Sequence, residues 1–445
     1  MKLNIRTTQS GYAVGFKGKD YPVQFPSSIW QGFPKGVKEP FVDNMGFMQT
    51  MELPLLFSKS SISYNINEPF LRAIYFKAVM QHLPFSSDID RKPVKEEIKK
   101  FLNIKYKFAG PPKIPEYKFE VEDKSIVPLT FGKESMLSYA LCEELGLDPI
   151  GVAVLESGLP IENNHRRSLI GRFSREFKAK IHTICDGTVL LSDYQHHKMP
   201  KTQFGYANTL SGYALINLPF NFTYKARYTI LGNEQSCNDS YMTSDGFRGF
   251  PVYDQSFSFT KQCDVITKAM SNGSVSVVSL VEPLQELAVM KIFHSRYKKY
   301  SRYQMSCFPD DKKSSASRWC HHCSKCARIS VFCKALGIDE KSIGITEDMM
   351  SKSKLGCFGI FGSPDGDVSF DISNLGRDEQ LFSFYLAYKN GSKGYLIDRF
   401  RDSFLEEAKS REDELYKKFF GFHSTHTIPE SIRHELRSIV AEELS

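Results

Sequence analysis

The stretch "SIVPLTFGKESMLSYALCEELGLDPIGVAVLES", Ser125 to Ser157, decides the fold. Its first part, SIVPLTF, is an apolar run of the length expected for a strand buried on both faces. ESMLSYALCEELG follows with the spacing of an amphipathic helix stopped by Gly146, and PIGVAVLES reads as a second buried strand. Strand, helix and strand in that order predict a parallel pair joined by a crossover helix. The alternation continues downstream, where RSLIGRFSREF and NTLSGYALINLPF read as helices and KIHTIC and ARYTILGNE as strands. The expected fold class is α/β, a mainly parallel sheet with helices on both faces.

Outward from this core, residues 1–120 read as an N-terminal β-rich and helical domain. Up to about Pro54, short aromatic and β-branched runs alternate with turns, as in YAVGFKGKDYPVQF, where Gly18 and Asp20 are expected in a hairpin connection. NEPFLRAIYFKAVMQHLP has a helical period, and YKFAGPPKIPEYKFE reads as a linker before a boundary near residue 120. Residues 121–300 hold the sheet, 301–360 form a cysteine-bearing segment, and 361–445 form a charged helical C-terminal region. In that last region DEQLFSFYLAYKNG and PESIRHELRSIVAEEL are the clearest helices.

A chain of 445 residues with 41% hydrophobic and 24% charged side chains has enough apolar material for one large core or several smaller ones. Its net charge of +7 suits a phosphorylated small molecule as well as a nucleic acid, so nucleic acid is not favoured. The sequence holds neither a secretory leader pattern nor an uninterrupted apolar run of roughly 18 residues. A cytoplasmic protein without membrane association is expected. In that reducing compartment most of the ten cysteines should be thiols.

Ligands of parallel sheets bind outside the carboxyl ends of the strands, which directs attention to the turn PLTFGKESMLS. Thr130 and Ser135 offer hydroxyls, Gly132 permits close backbone approach, Lys133 supplies a cation, and the following helix presents free N–H groups. These are the parts of a phosphate cradle, although the spacing is not that of a Walker loop and the same residues suit an ordinary tight turn. Glu156 ends the next strand, where a carboxylate could face a ribose or a magnesium ion. A further strand runs into LGNEQSCND, placing Gly232, Asn233, Glu234, Ser236 and Asn238 in one loop. Asn and Asp are common turn residues, but Glu234 and Gln235 are not, which points to substrate recognition.

Cys307, Cys320, Cys323 and Cys326 are separated by twelve, two and two residues. Thiolates at the C-x2-C spacing can share one ion, so the expectation is a structural four-cysteine zinc site. Iron–sulfur ligation uses the same residues, and His321 or His322 could replace one sulfur. Cys333 reads as core, while Cys142, Cys185, Cys237, Cys263 and Cys357 read as unpaired thiols.

The run Thr130-Phe131-Gly132-Lys133-Glu134-Ser135 resembles the Ser-Gly-Gly-x-Asp-Ser signature of the PP-loop ATP pyrophosphatases, the adenine nucleotide alpha-hydrolase-like superfamily. It departs from the signature at Thr130, Phe131 and Glu134. Pro283, Leu284, Ser306, Cys307, Cys320, Cys323 and Cys326 match a stretch of the 7-cyano-7-deazaguanine synthases, with Val289 where that branch has lysine and His321 where it has glycine. Gly232-Asn233-Glu234 and CHHCSKCARI resemble the branch that epimerises the glutamate of UDP-N-acetylmuramoyl-L-alanyl-L-glutamate. The resemblance covers residues 125–350.

The resemblance implies a sheet of HUP/PP-loop type, with ATP and Mg2+ held by Thr130, Phe131, Gly132, Lys133, Glu134, Ser135 and Glu156 and Zn2+ held by the four cysteines. It also implies adenylation of a small-molecule carboxylate with release of pyrophosphate. Lys133 would neutralise the leaving group, and Glu234, His294 or Lys291 would be the base. The N-terminal segment favours the epimerase-like branch, and amide or nitrile formation on a purine-like acid or a protein terminus is the alternative outcome. Outside enzymes, the alternative is a degenerate module that binds nucleotide or RNA without catalysis. The C-terminal helices could cap the site, bind a partner or pair two subunits as a homodimer.

Overall fold

The computed structural model describes residues 1–306, 312–362 and 373–444. In chain order the strands are β1 (Lys2–Thr8), β2 (Gly11–Phe16), β3 (Lys19–Gln24), β4 (Ser61–Tyr64), β5 (Lys105–Lys107) and β6 (Glu122–Pro128). They continue with β7 (Pro149–Glu156), β8 (Ile181–Asp186), β9 (Ala226–Ile230), β10 (Tyr241–Met242), β11 (Arg248–Gly249) and β12 (Ser276–Val278). Ten of these join one sheet in the order β12-β9-β6-β7-β8-β3-β2-β1-β4-β5, and β10 pairs with β11 in a separate antiparallel ribbon. From β12 to β8 every neighbour is parallel. The β8–β3, β3–β2 and β2–β1 pairs are antiparallel, and the sheet ends with two more parallel pairs. The structure is thus α/β with a mostly parallel sheet.

The opening stretch forms the expected unit. Ile126 and Val127 point to opposite faces of β6 and both are fully buried, as a strand covered on two sides requires. On one face Ile126, Ile150, Val154 and Ile184 pack with Ile5, Trp30 and Phe41 from the N-terminal segment. On the other, Val127, Leu137 and Leu141 pack with Leu287, Phe293, Phe332 and Phe384 from the later helices. Gly146 ends the helix Lys133–Glu144 at φ 69°, a left-handed conformation that costs glycine least.

Three local expectations change. The hairpin connection consists of Lys17 and Gly18, at φ 50° and 77°, while Asp20 lies inside β3 opposite Gly15. Two residues of positive φ suffice for a twisted hairpin, so Asp20 is left to pair with Arg6 across the sheet. The region up to Pro54 is β-rich only to Gln24, because the fourteen-residue helix Lys35–Met48 follows with Pro34 at its N-cap. NTLSGYALINLPF splits into the helices Thr209–Ile216 and Leu218–Tyr224, since Pro219 cannot donate to a preceding turn. The segments before and after residue 120 also share one sheet, joined where Val23 and Gln24 pair with Asp186 and Cys185.

Strand order locates the crevice. After β6 the chain steps outward to β7 and β8, then returns across β6 to β9 and on to β12. The direction of winding therefore reverses between β6 and β9, the place in such a sheet where the loops leaving neighbouring strands form a ligand crevice at their carboxyl ends.

Candidate functional site

The loop after β6 is the Thr130–Ser135 turn, and the loop after β9 is the 232–239 segment, so the strand order brings the two together. A Cβ on Gly232 would lie 2.9 Å from Glu134 Cβ and 3.3 Å from the backbone nitrogen of Ser135. Glycine is what lets the second loop touch the first turn of the helix Lys133–Glu144. Within the turn Thr130 Oγ1 lies 3.1 Å from Ser135 Oγ, and Gly132 N–H donates to Thr130 Oγ1 at 3.3 Å. Ser135 Oγ in turn donates to the Gly132 carbonyl at 3.2 Å. Thr130 is exposed at the rim, whereas Gly132, Lys133 and Ser135 are buried. Phe131, which stands where the resembled signature has glycine, takes φ 63° and buries its ring edge-on against Phe173 at 5.9 Å. The left-handed bend is kept, and burial of the ring offsets the strain of a non-glycine residue there.

Lys133 does not face solvent. Its ammonium pairs with Glu134 and, at 2.8 Å, with Glu286, which also receives Arg328 at 2.6 Å. Burial opposes the ammonium, but the carboxylates of Glu134, Glu286 and Glu234 outweigh it and hold Lys133 charged above its ordinary range. Burial likewise opposes the Glu286 carboxylate, and Arg328 and Lys133 outweigh it, bringing the group down to about 2. Glu234 goes the other way. Burial and then the nearby Glu286 charge raise it to about 7, against the pull of Lys133. Its carboxylate accepts from Ser236 N–H at 2.8 Å, from the Ser236 hydroxyl and from the Cys237 thiol at 3.3 Å. Glu379 completes the cluster, accepting from Leu287 N–H at 3.0 Å, with its other oxygen unbonded among the described residues. Burial followed by the charges of Glu286 and Glu234 raises Glu379 well above a normal carboxyl.

Asn233 Nδ2 donates to Thr260 Oγ1 at 2.8 Å, and its carbonyl accepts from Ser279 Oγ at 2.6 Å. Asn238 accepts from Phe257 N–H at 2.8 Å and donates to the Gln235 carbonyl at 2.9 Å. Both side chains hold the loop in shape. Glu156 belongs to a different neighbourhood. It receives the Tyr213 hydroxyl and titrates near 7 through burial, with Arg166, Asp186 and Glu162 as the charges that reach it. Among the expected bases, His294 is bonded to Gln304 Oε1 at 2.8 Å and Lys291 lies 5.2 Å from the Phe420 ring centroid, so Glu234 alone of the three joins the Lys133 cluster. Sequence reasoning missed Glu286, Arg328 and Glu379. The available signal was a charged residue at the head of an apolar helix, as in ELAVMKIF.

Cys320, Cys323 and Cys326 bring their sulfurs within 4.8 Å of one another, a grouping that could hold a metal ion. Cys323 is also the N-cap of the helix Ser324–Leu336, its sulfur accepting from Cys326 N–H at 3.4 Å. Cys307, the expected fourth ligand, lies outside the described residues. His321 is not turned to the sulfurs as a substitute ligand: its Nε2 accepts from Thr346 N–H at 3.2 Å, and its Nδ1 lies 3.9 Å from Glu347. Three converging thiols fit a thiophilic ion such as zinc, bound as thiolates. No helix among the described residues is long and apolar enough to cross a membrane.

No protein-family model matches the chain, and neither does any curated protein.

Proposed function

We propose that the chain is an ATP-dependent enzyme of the PP-loop pyrophosphatase type, with a HUP-like sheet, that adenylates a carboxylate and releases pyrophosphate. The observation that carries this reading is the meeting of the Thr130–Ser135 turn with the Gly232 loop where the winding of the sheet reverses. A nucleotide's phosphates would lie over the N-terminus of the helix Lys133–Glu144, whose first N–H groups have no acceptor within the helix. Lys133 would exchange a carboxylate partner for a phosphate oxygen and neutralise charge on the departing pyrophosphate.

Glu134 is half-buried beside Lys133 and is the carboxylate best placed to hold the magnesium that accompanies ATP. When bound, that ion supplies charge neutralisation between phosphate oxygens. Glu234, poised near 7 beside this cluster, suits proton transfer at neutral pH, which favours the epimerase-like outcome over amide formation. The cysteines, loaded with zinc, would hold the segment that carries Arg328 and do no chemistry themselves. The substrate is read as a small-molecule carboxylate rather than a nucleic acid.

The test is to incubate the protein with ATP, magnesium and a panel of carboxylic acids and to follow AMP and pyrophosphate. Acid-dependent AMP in wild type, lost in Lys133→Ala, supports the reading. No AMP with any acid would leave the non-catalytic binding module in its place. Deuterium uptake from solvent at a substrate α carbon selects epimerisation, and an ammonium requirement selects amidation.

A further inference from the structure

A pocket apart from the Lys133 cluster opens at the carboxyl ends of β7 and β8, against the helices Lys35–Met48 and Thr209–Ile216. Glu156 and Asp186 stand opposite each other in the parallel ladder there. Along their strands they keep step with Val154 and Ile184, so both carboxylates turn to the face covered by the N-terminal segment. The helix Lys133–Glu144 packs on the other face through Leu137 and Leu141. Among the described residues, none from the Thr130–Ser135 turn or the 232–239 loop lines the pocket.

Acceptors and donors are both left over inside it. Glu156 Oε1 receives the Tyr213 hydroxyl, and Asp186 Oδ1 receives Thr188 N–H at 2.8 Å and the Thr188 hydroxyl at 2.6 Å. Their second oxygens carry no hydrogen bond among the described residues. Gln49 accepts the Tyr12 hydroxyl at 2.9 Å through Oε1, and its Nε2 has no acceptor among the described residues. Ser192 is an independent sign of a ligand, because it lines the pocket at only 7% exposure while its hydroxyl has no partner among the described residues. Gly205 beside it leaves that hydroxyl uncovered, since a Cβ there would lie 2.9 Å from Ser192 Oγ. All four atoms stay within reach of a water molecule, unlike the polar atoms sealed in the core without a partner. A hydroxyl held in a nearly buried position without a partner costs free energy that a ligand recovers.

We infer that this pocket binds a neutral polyhydroxylated small molecule of monosaccharide size, its hydroxyls donating to Glu156 and Asp186 and accepting from Gln49 and Ser192. A hydroxyl both donates and accepts, so a run of them satisfies acceptors and donors that line one cavity. A cation would leave the Gln49 amide without an acceptor, and an anion would meet two carboxylates. The volume, about 130 Å³, holds on the order of ten water-sized groups, the scale of a sugar ring with its hydroxyls. The rings of Tyr206 and Tyr213 offer apolar walls to the carbon skeleton. The inference does not rest on the nucleotide reading.

Ligand-observed NMR titration with D-glucose, D-ribose and myo-inositol, without ATP, tests it. At least one of the three should bind saturably, and cyclohexanol, which keeps a ring and one hydroxyl, should bind about tenfold more weakly. Asp186→Asn turns the open acceptor into a donor while keeping the oxygen that holds Thr188, and should weaken the sugar by about tenfold. Ser192→Ala deletes a hydroxyl that bonds nothing among the described residues, so the fold keeps its urea midpoint while binding weakens by about fivefold. Adding ATP and magnesium should leave the sugar bound. Displacement by ATP would make the pocket a seat for the nucleotide's own ribose and overturn the assignment. No saturable binding by any of the three, cyclohexanol binding as tightly, or wild-type affinity in both variants would each overturn it too.

Discussion

Met305 N–H donates to the carbonyl of Phe131 across 2.7 Å, tying the strand-end turn to the segment that leads into the cysteines. Arg328, two residues beyond Cys326, makes a second tie through Glu286 to Lys133. The cysteine cluster and the turn are therefore mechanically linked, although Cys320, Cys323 and Cys326 are not among the groups that pair with Lys133.

That link predicts the consequence of losing the metal. Mass spectrometry of the native protein should find about one zinc per chain, as three or four thiolate ligands imply. Cys320→Ser, Cys323→Ser and Cys326→Ser should each abolish it, and Cys307→Ser should do the same if that residue completes the tetrahedron. The stability loss should exceed the roughly 1 kcal/mol of an average substitution. AMP formation should fall in parallel, because the Met305–Phe131 and Arg328–Glu286 ties both rest on this segment.

Lys133→Met separates two roles of one side chain. Removing one partner of a buried ion pair costs about 3–5 kcal/mol, and the lower end is expected because Glu286 keeps Arg328 at 2.6 Å. Urea denaturation should read that loss. If Lys133 also neutralises pyrophosphate, AMP formation should drop by on the order of 100-fold under conditions where the variant is fully folded. Glu286→Gln should destabilise comparably, leaving both Lys133 and Arg328 short of a counter-charge.

Phe131→Gly sets two effects against each other. Relief of the left-handed conformation is worth about 1–2 kcal/mol. Loss of a fully buried aromatic ring packed on Phe173 costs about 3–5 kcal/mol. A net destabilisation of about 2 kcal/mol is therefore expected, measured by denaturant midpoint. A stabilised variant would mean that the ring contributes little to the core beneath the turn.

Sequence and structure agree best where chemistry is local. The Thr130–Ser135 turn and the Gly232 loop were legible because hydrophobic runs of strand length end just before each of them. Their meeting was not legible, since it depends on β9 returning to the far side of β6 and on the absent Cβ of Gly232. Glu286, Arg328 and Glu379 escaped notice for the same reason: they come from three separate helices, and burial around Lys133 gives them their importance. The junction of β3 with β8 was hidden by the proline- and lysine-rich stretch near residue 120, whose composition suggests a boundary although the sheet continues. Phe131 shows the reverse case, a residue that reads as a lost glycine yet occupies a glycine-like conformation.

The pH dependence of stability follows from carboxylates buried without full compensation. Burial raises Glu52, Glu156 and Asp254 to about 7 and Asp43 to about 6, and it also raises Asp186. Burial, joined by the Glu286 charge, raises Glu234 to about 7. Each of these groups has a folded pKa above its unfolded value, near 4. Between those values the folded state holds protons that the unfolded chain has released, so stability falls as pH rises. The contribution is fully present below about pH 4 and is lost by about pH 7 to 8. Glu286 opposes the trend only at the acid end. Its folded pKa, about 2, lies below the unfolded value, so its contribution is present above about pH 4 and is lost as pH falls towards 2. Burial also holds His82, His182, His197 and His294 below their unfolded value, which adds stability as pH rises to about 6.5 and opposes the carboxylates over that range, so the decline of the urea midpoint is expected chiefly between about pH 6.5 and 8. Glu52→Gln should flatten that decline because it has no charge to bury, and it should also lower stability at every pH, because Gly205 N–H and Ala207 N–H donate to separate carboxylate oxygens at 3.1 Å each and an amide keeps an acceptor for only one of them. A midpoint that rose between about pH 6.5 and 8 in the wild type would show that these carboxylates are solvated or paired in solution.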